Sequence, residues 1–209
     1  MSTYLLAAFV GYLLGSFPTG LLIGRWLCNI DIRQYGSNNI GTTNMFRTLG
    51  PKAAGIVLVG DMGKGMLAVA FANWLAGEPQ IALGLTGGLA AVLGHNYPIF
   101  LKFKGGRGVA TAFGVLCLLQ PKVVMIVFPV WLVLVLLTRY VSLGSVVAAF
   151  VAPIAAWWFD YELPLVIFTT AAAAFVIIRH KENIGRLLAG TESRIKAGST
   201  ETLQKGDKS

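Results

Sequence analysis

Residues 94–111 read GHNYPIFLKFKGGRGVAT, and this polar, glycine-rich stretch interrupts a chain made mostly of long apolar runs. Glycines have no Cβ atom, so the backbone can approach a ligand closely and successive N–H groups can converge on an anion. A phosphate group suits such a site. The same pattern also fits a tight basic turn between two membrane helices, with its cations on the cytoplasmic side. The cations and glycines concerned are Lys102, Lys104, Gly105, Gly106, Arg107 and Gly108.

The composition is that of an integral membrane protein. Of the 209 residues, 56% are hydrophobic and 12% are charged, and the mean hydropathy is +0.70, well above an ordinary soluble domain. The net charge of +8 is explained first by membrane topology, and no basic arm or stacking surface indicates a nucleic-acid partner. Cys28 and Cys117 lack the spacing of a metal site or a disulfide framework. We therefore expect no metal and no cofactor.

The apolar runs predict an all-α, polytopic helical bundle in the membrane. A spanning helix needs about 20 apolar residues. The runs at residues 81–93 and 109–119 would be only about 20 and 16 Å long as helices, against a hydrocarbon core of roughly 30 Å. They are either short tilted spans or a re-entrant pair, which gives about seven spans or five. The runs are residues 4–27, 53–76, 81–93, 109–119, 121–138, 141–159 and 163–178.

Basic residues are distributed unequally between the segments that connect these runs. Because Lys and Arg are enriched on the cytoplasmic side, the N-terminus is predicted outside and the C-terminus in the cytoplasm. A cleaved signal peptide is not expected, since no Lys or Arg precedes the first apolar run. The cations predicted to be cytoplasmic are Arg25, Arg33, Arg47, Lys52, Lys102, Lys104, Arg107 and Arg139, and the charges predicted outside are Glu78, Lys122, Asp160 and Glu162.

Residues 1–192 are predicted to form one integral membrane domain, followed by a flexible cytoplasmic tail at residues 193–209, which are polar and lack an apolar pattern. Inside the second apolar run, Asp61 and Lys64 are three positions apart. Charges at membrane depth are costly, so we expect these two to neutralise each other or to line a polar site.

A second polar segment, residues 37–47, is too polar for a membrane span and too rich in glycine for a long helix. One Ser or Asn could serve as the N-cap of a short helix. A single cap does not explain six such side chains, however, and the guanidinium fork of Arg47 is suited to a phosphate. The six are Ser37, Asn38, Asn39, Thr42, Thr43 and Asn44.

A third polar segment, residues 180–192, places His180, Asn183 and Leu187 on one helix face. It could be the basic end of a membrane helix whose long side chains reach the interface. Three polar segments on the same side of a small bundle indicate instead the walls of one site for an anionic ligand.

These segments closely resemble the motifs of the bacterial acyl-phosphate:glycerol-3-phosphate 1-acyltransferase family. They read GSNNIGTTN followed by Arg47, GHNYP leading into KGGRGVAT, and HKENIGRLLAGTE. The resemblance covers nearly the whole chain up to Glu192. Two positions depart from the family pattern, since Arg107 stands where lysine is usual and Thr42 where alanine is usual. Arginine keeps the charge of lysine but changes the donor geometry.

The resemblance implies transfer of a fatty acyl group from acyl phosphate to the 1-hydroxyl of glycerol 3-phosphate, giving lysophosphatidate and phosphate in phospholipid synthesis. It also implies a multi-pass protein of the bacterial inner membrane, with its active site facing the cytoplasm and a functional link to the enzyme that makes acyl phosphate. Acyl phosphate already contains a good leaving group, so positioning and charge neutralisation can suffice. The base would be an oxygen of the donor phosphate or His180.

The resemblance further implies roles for individual residues. Glu192 would give structural support. The implied catalytic residues are Ser37, Arg47, Lys104, His180 and Asn183. The residues implied to bind acyl phosphate are Gly105, Gly106, Arg107 and Gly108. The residues implied to bind glycerol 3-phosphate are Ser37, Asn39, Arg47, His180 and Asn183.

Other functions fit less well. A second class of glycerol-phosphate acyltransferases carries a His-x-x-x-x-Asp dyad, but Phe100 and Gly185 stand five residues after the two histidines. A transporter of a small phosphorylated metabolite is the competing interpretation, because cations inside a bundle could line a pathway. Against it, the polar side chains cluster on one face. A structural scaffold would leave three polar motifs unexplained.

Overall fold

The structure, a computed structural model, describes residues 1–195. Over this range it contains helices and no strand, which confirms the predicted all-α class. Short 3₁₀ turns occur at Ile32–Gln34 and Ile99–Leu101. The α-helices are α1 Ser2–Ser16, α2 Thr19–Cys28, α3 Thr42–Ala76, α4 Ile81–Asn96, α5 Val109–Leu119, α6 Pro121–Thr138, α7 Val141–Trp158, α8 Leu163–Arg179 and α9 Lys181–Leu188.

The first apolar run is broken between α1 and α2. Pro18 lies at the break, and proline cannot donate the backbone hydrogen bond that would continue α1. The Phe17 carbonyl accepts a hydrogen bond of 3.2 Å from Lys64 Nζ on α3. The two helices together still form one apolar segment, Ser2–Cys28, that is long enough to cross a membrane.

Helix α3 begins inside the second polar segment, well before the apolar run predicted at residue 53. Its N-cap is Gly41, which makes no side-chain cap bond, so the alternative of a Ser or Asn cap is wrong. Gly50 has a φ of 84° and is followed by Pro51. A left-handed glycine and a residue without an N–H bend the helix there. The first turns of α3 thereby form a separate polar arm.

Small residues let the central helices pack closely. A Cβ atom on Gly11 or Gly15 of α1 would collide with the backbone of Gly87 or Ala91 on α4. Such contacts are typical of helix pairs in membranes. Helix α3 packs against α1, α4 and α5, while α7 packs against α6 and α8. The start of α5 lies beside the middle of α3, where a Cβ atom on Gly65 would collide with the Thr111 carbonyl.

Within residues 1–195, four segments are long and apolar enough to cross a membrane, namely Ser2–Cys28, α3, α6 and α7. Helices α8 and α9, which are bent by 58°, would make a fifth span as a pair. Large apolar side chains face outward, such as Trp158, which is 82% exposed, and Leu137, which is 78% exposed. Such surfaces suit lipid rather than water. The chain is therefore a multi-pass membrane protein.

The C-terminal end of the described chain lies against the bundle. The Arg194 side chain donates to the Tyr140 hydroxyl at 3.0 Å, and the Ile195 N–H donates to the Arg139 carbonyl at 2.8 Å. The rest of the tail predicted at residues 193–209 lies outside the described residues.

Candidate active site

A cavity of about 230 Å³ lies between α3, α5, α6, α7 and α9. The lining residues of α6 are all apolar, whereas the first turns of α3 and α9 contribute polar side chains, so the cavity has a polar end and an apolar end. All three polar segments contribute to it. The polar end includes Ser37, Asn39, Thr42, Thr43, Arg47, Arg107, Gly108, Ser142, His180, Asn183 and Glu192. The apolar end includes Leu58, Met62, Phe113, Val127, Phe128, Trp131 and Ala148.

The loop before α3 is held in shape by Asn44, which is buried. Its Nδ2 lies within 3.1 Å of the carbonyl oxygens of Ile32, Tyr35 and Asn39. Its Oδ1 accepts a hydrogen bond of 2.7 Å from the Ser37 backbone N–H. One buried amide therefore fixes the loop that carries Ser37 and Asn39 to the cavity.

The glycine loop divides into two parts, and the first part packs against the end of α4. The Gly105 N–H donates to the Asn96 carbonyl at 3.1 Å, and the Gly106 N–H donates to the His95 carbonyl at 3.0 Å. A Cβ atom on Gly105 would collide with the His95 carbonyl, and one on Gly106 would collide with the His95 ring. Neither glycine lines the cavity. Their N–H groups shape the loop instead of pointing at a ligand.

The second part of the loop does line the cavity, through Arg107, Gly108, Val109 and Ala110. Gly108 is the N-cap of α5 and has a φ of 79°, a conformation that glycine adopts easily. The first N–H groups of a helix have no partner within the helix and carry partial positive charge. The start of α5 therefore offers backbone donors to an anion.

The acidic residues at the cavity are compensated by nearby cations. Asp61 Oδ1 is 2.9 Å from Lys64 Nζ, so the two charges neutralise each other, the first of the two predicted alternatives, while Asp61 also lines the cavity. Glu192 Oε2 is 2.7 Å from Arg186 Nε. Two negative charges at the cavity are thus neutralised by residues that do not themselves line it.

Two arginines leave the polar end with a net positive charge. Neither Arg47 nor Arg107 forms an ion pair with any residue that the structure describes. Burial lowers the pKa of Arg107 from its ordinary value, yet a guanidinium stays charged in proteins. Both side chains are half-buried, and a charge that is partly removed from water without a counterion is unfavourable, so an anionic ligand beside them would be stabilised.

His180 follows α8 and is buried at the polar end. Its Nδ1 lies 2.7 Å from the Val176 carbonyl. A carbonyl can only accept, so Nδ1 carries the hydrogen and Nε2 keeps its lone pair. Burial lowers the pKa of His180 to about 4. The imidazole is therefore neutral at pH 7 and can accept a hydrogen bond at Nε2.

Glu192 connects α7, α9 and the C-terminal end of the described chain. Its Oε1 accepts hydrogen bonds from Ser142 Oγ at 2.8 Å and from Asn183 Nδ2 at 2.7 Å, while Arg186 binds Oε2. Burial alone would raise the pKa of Glu192, but these hydrogen bonds outweigh it and hold the pKa below its ordinary value. The Asn183 side chain is thereby fixed, and its Oδ1 has no partner among residues 1–195.

Lys104 lies outside this cavity. Its side chain is exposed and borders a separate depression with Asp31, Arg33 and Asn38. The structure thus brings together most of the residues that the sequence suggested, but it separates Lys104 from Arg107.

Several cavity residues were not among the predicted site residues. The sequence gave no sign that Asn44, in the first turn of α3, holds Ser37 in place. Asp61 could have been found from the sequence, because a charge inside an apolar run is costly and often marks a functional site. His95 could have been found because it belongs to the glycine-rich stretch at residues 94–111. The additional polar residues at the cavity are Thr42, Thr43, Asn44, Asp61, His95, Ser142 and Ser145.

Comparison with known proteins decides the family. A family model described as glycerol-3-phosphate acyltransferase matches residues 5–190. The chain belongs to the glycerol-3-phosphate acyltransferase family. It is therefore an acyltransferase, which confirms the expected enzyme class and argues against the transporter and scaffold alternatives.

Two relatives in the same family are similar over almost their whole length. The glycerol-3-phosphate acyltransferase of Carboxydothermus hydrogenoformans is 45% identical over 91% of this chain and 96% of its own. That of Trichlorobacter lovleyi is 49% identical over 89% of this chain and 94% of its own.

Solved structures of one relative have the same fold. The crystal structure of PlsY, an integral membrane glycerol 3-phosphate acyltransferase, in its glycerol 3-phosphate form superimposes with a TM-score of 0.86, at 40% identity, over 96% of this chain and 98% of that one. Its lysophosphatidic acid form gives a TM-score of 0.84 at 39% identity, with the same coverage.

Proposed function

We propose that this acyltransferase transfers a fatty acyl group from acyl phosphate to the 1-hydroxyl of glycerol 3-phosphate, giving lysophosphatidate and inorganic phosphate. The observation that carries the proposal is the two-ended cavity. Its polar end holds two arginines without an acidic partner among the described residues and the N-terminal ends of two helices, and its other end is apolar. Such a cavity suits two phosphate groups, one of them attached to an alkyl chain.

The donor phosphate is proposed to bind at the start of α5. Gly108, Val109 and Ala110 lie there at the cavity, with Arg107 beside them. Helix N-termini bind phosphate through free N–H groups and the helix dipole. The contribution of Gly105 and Gly106 is then to shape the loop, because their N–H groups are bonded to α4.

Glycerol 3-phosphate is proposed to bind on the other side of the polar end. Arg47 can hold its phosphate through paired, charge-assisted hydrogen bonds, with Ser37 and Asn39 on the loop before α3. The Asn183 side chain is held by Glu192, and its Oδ1 can accept a hydrogen bond from an acceptor hydroxyl.

The chemistry needs no covalent intermediate on the protein. The 1-hydroxyl oxygen attacks the acyl carbonyl carbon, the carbon–oxygen bond to phosphate breaks, and phosphate leaves. A histidine with a pKa of about 4 is a weak proton acceptor at pH 7. We therefore infer that the proton of the 1-hydroxyl passes to an oxygen of the donor phosphate, while His180 Nε2 and Asn183 Oδ1 offer acceptors to the 2-hydroxyl and so orient the substrate. Arg107 stabilises the charge that develops on the phosphate.

The acyl chain is proposed to occupy the apolar end. Phe113 and Phe128 have ring centroids 5.9 Å apart, and Trp131 lies 6.3 Å from Phe128. These rings, with Met62 on α3, form an apolar wall of the cavity. Burial of the chain there adds binding energy from a part of the donor that does not react.

We further propose seven spans, with α4 and α5 as short ones, the N-terminus outside, and the active site facing the cytoplasm of the bacterial inner membrane. The support is the asymmetric distribution of cations described above. Both substrates would then be reached from the cytoplasm, and the enzyme that makes acyl phosphate would act beside this one.

A direct assay tests the proposal. Purified protein in detergent is incubated with labelled glycerol 3-phosphate and either palmitoyl phosphate or palmitoyl-CoA. We expect lysophosphatidate and phosphate in equal amounts from palmitoyl phosphate, and little product from the CoA donor. Robust turnover with palmitoyl-CoA, or none with palmitoyl phosphate, would contradict the proposed donor.

A further inference from the structure

Three buried titratable side chains, two of them lining the cavity and the third paired with one of these, have no part in the reaction proposed above. Asp61 is 2% exposed, Lys64 is 5% exposed and His95 is 4% exposed. Lys64 Nζ lies 2.9 Å from Asp61 Oδ1, and His95 Nδ1 lies 3.8 Å from the same oxygen. Burial of such groups is costly and usually marks a function when they adjoin a binding site.

His95 also contacts the glycine loop. The Gly106 N–H donates to its carbonyl at 3.0 Å, and its ring occupies the space where a Cβ atom of Gly106 would lie. On the other side of the loop, the Gly106 carbonyl accepts a hydrogen bond of 2.8 Å from Arg179. The position of Gly106 is therefore set by His95 from one side and by Arg179 from the other.

The loop continues from Gly106 to the N-terminus of α5 within two residues. Gly108, the N-cap of α5, packs against the side chain of Asn96, the neighbour of His95, so that a Cβ atom on Gly108 would collide with it. A shift of the His95 ring would move Gly106, and with it Arg107 and the first amides of α5. A small displacement of this kind is enough to misplace a bound phosphate.

We propose that Asp61 and His95 are positioning residues that hold the N-terminus of α5 in its phosphate-binding geometry. The Asp61 carboxylate attracts a hydrogen on His95 Nδ1 and so fixes the imidazole, whose Nε2 edge supports Gly106. Lys64 neutralises the carboxylate, so the cavity keeps its positive charge. The inference rests on the proposed function, because it assumes that a substrate phosphate binds at α5.

The surroundings of His95 favour a positioning role over a role in proton transfer. The His95 ring is buried and its Nε2 lies against Gly106, so that atom is blocked by the loop. His95 Nδ1 faces the carboxylate and has no hydrogen bond with the residues described.

The test uses three variants and one reference. His95→Gln removes the ring. Asp61→Asn combined with Lys64→Met removes both charges together and leaves no unpaired ion. A third variant combines all of these changes. Arg107→Gln is the reference, because it alters the loop directly. For each variant the KM values for palmitoyl phosphate and glycerol 3-phosphate are measured separately.

We expect His95→Gln and the charge-pair variant to raise the same KM that Arg107→Gln raises, by about 10- to 100-fold. The other KM should stay within about twofold. Because Asp61 acts through His95, the combined variant should be no worse than His95→Gln alone. Effects that multiply in the combined variant, or a KM that is unchanged, would overturn the proposal.

Thr169→Val is the matched control for lost stability. It removes the buried hydrogen bond from Thr169 to Gln120, and neither residue lines the cavity. It should lower Tm without changing either KM. If the charge-pair variant does not fold, the proposal is tested with His95→Gln and His95→Asn alone. Equal changes in the KM values for both substrates would then refute a positioning role for His95. Wild-type protein without acyl-phosphate turnover would refute the proposed function instead, so the two failures are distinguishable.

Discussion

The Nη2 atom of Arg47 donates a hydrogen bond of 2.8 Å to the backbone carbonyl of Ser193, a residue 146 positions later in the chain. The contact joins the polar arm of α3 to the C-terminal end of the described chain. The Arg47 Nε atom is buried and has no partner among residues 1–195. A carbonyl is a weaker partner for a guanidinium than a phosphate. Arg47 is therefore available to a phosphate of the substrate.

Arg47→Ala is expected to lower kcat/KM for glycerol 3-phosphate. The loss should correspond to about 2 to 4 kcal/mol of transition-state stabilisation, the scale of one preorganised donor. Arg47→Lys should recover only part, because an ammonium group cannot form the paired hydrogen bonds of a guanidinium. Steady-state kinetics with palmitoyl phosphate held saturating provide the measurement. Near-normal kcat/KM in the Ala variant would exclude Arg47 from the site.

Arg107→Gln is expected to damage activity more than Lys104→Gln. Arg107 lines the cavity, whereas Lys104 is exposed beside Arg33 and Asp31. Loss of Arg107 should cost roughly 2 to 4 kcal/mol in the transition state, and loss of Lys104 about 1 kcal/mol or less. The kcat/KM values of the two variants, measured in parallel, check the order. The reverse order would place Lys104 in the reaction.

Glu192→Gln is expected to destabilise the protein and to flatten its dependence on acidic pH. Since the folded-state pKa of Glu192 is below its ordinary value of 4.5, its ionised form stabilises the fold above that pH, and this contribution is lost as the pH falls through the folded-state pKa. Removing the charged acceptor should cost about 1 to 3 kcal/mol near neutral pH. Tm in detergent between pH 7 and about pH 3, a range that extends below the ordinary pKa, provides the measurement.

Glu182→Gln is the matched control for that experiment. Glu182 is exposed on the same helix, α9, so its replacement should leave both Tm and its pH dependence close to wild type. If Tm of Glu192→Gln changed with pH in the same way as Tm of Glu182→Gln, and from the same starting value, Glu192 would not support the fold.

Ala148→Phe is expected to shift the preference of the enzyme toward shorter acyl chains. Ala148 lines the apolar end of the cavity, and a phenyl ring there would occupy space needed by the end of the chain. Each buried methylene contributes about 0.8 kcal/mol to binding. If the phenyl ring excludes two methylene groups of the acyl chain, kcat/KM for palmitoyl phosphate should fall roughly tenfold relative to a shorter donor. The neighbouring Ala149→Phe is the control. An unchanged chain-length preference would place the acyl chain elsewhere.

Single cysteines test the proposed topology. In a background lacking Cys28 and Cys117, a cysteine at Glu78 should react with an impermeant reagent added outside intact cells. A cysteine at Ser193 should react only after the membrane is opened, since the cation distribution places it in the cytoplasm. Labelling of both positions from outside would refute the proposed orientation.

Helix positions followed closely from the sequence where an apolar run had clear ends. Helices α5 and α6 have the predicted bounds, because Gly108 precedes α5 and Pro121 begins α6. The break at Pro18 was not predicted, although proline gave a signal. The start of α3 at Thr42 was not predicted because its polar residues look like loop, and the contacts of Asn44 with Ile32 and Ser37 become visible only in the folded chain.

By itself, the sequence determined the membrane class and the approximate position of most helices, and it predicted an anionic ligand, because these depend on runs and clusters of neighbouring residues. The tertiary structure decided which of those residues share a cavity. It placed Arg107 at the cavity and Lys104 outside it, and it bonded the Gly105 and Gly106 amides to α4. The side-chain directions and backbone hydrogen bonds of a loop depend on the helices against which the loop packs. The residues of those helices are far from the loop in the sequence.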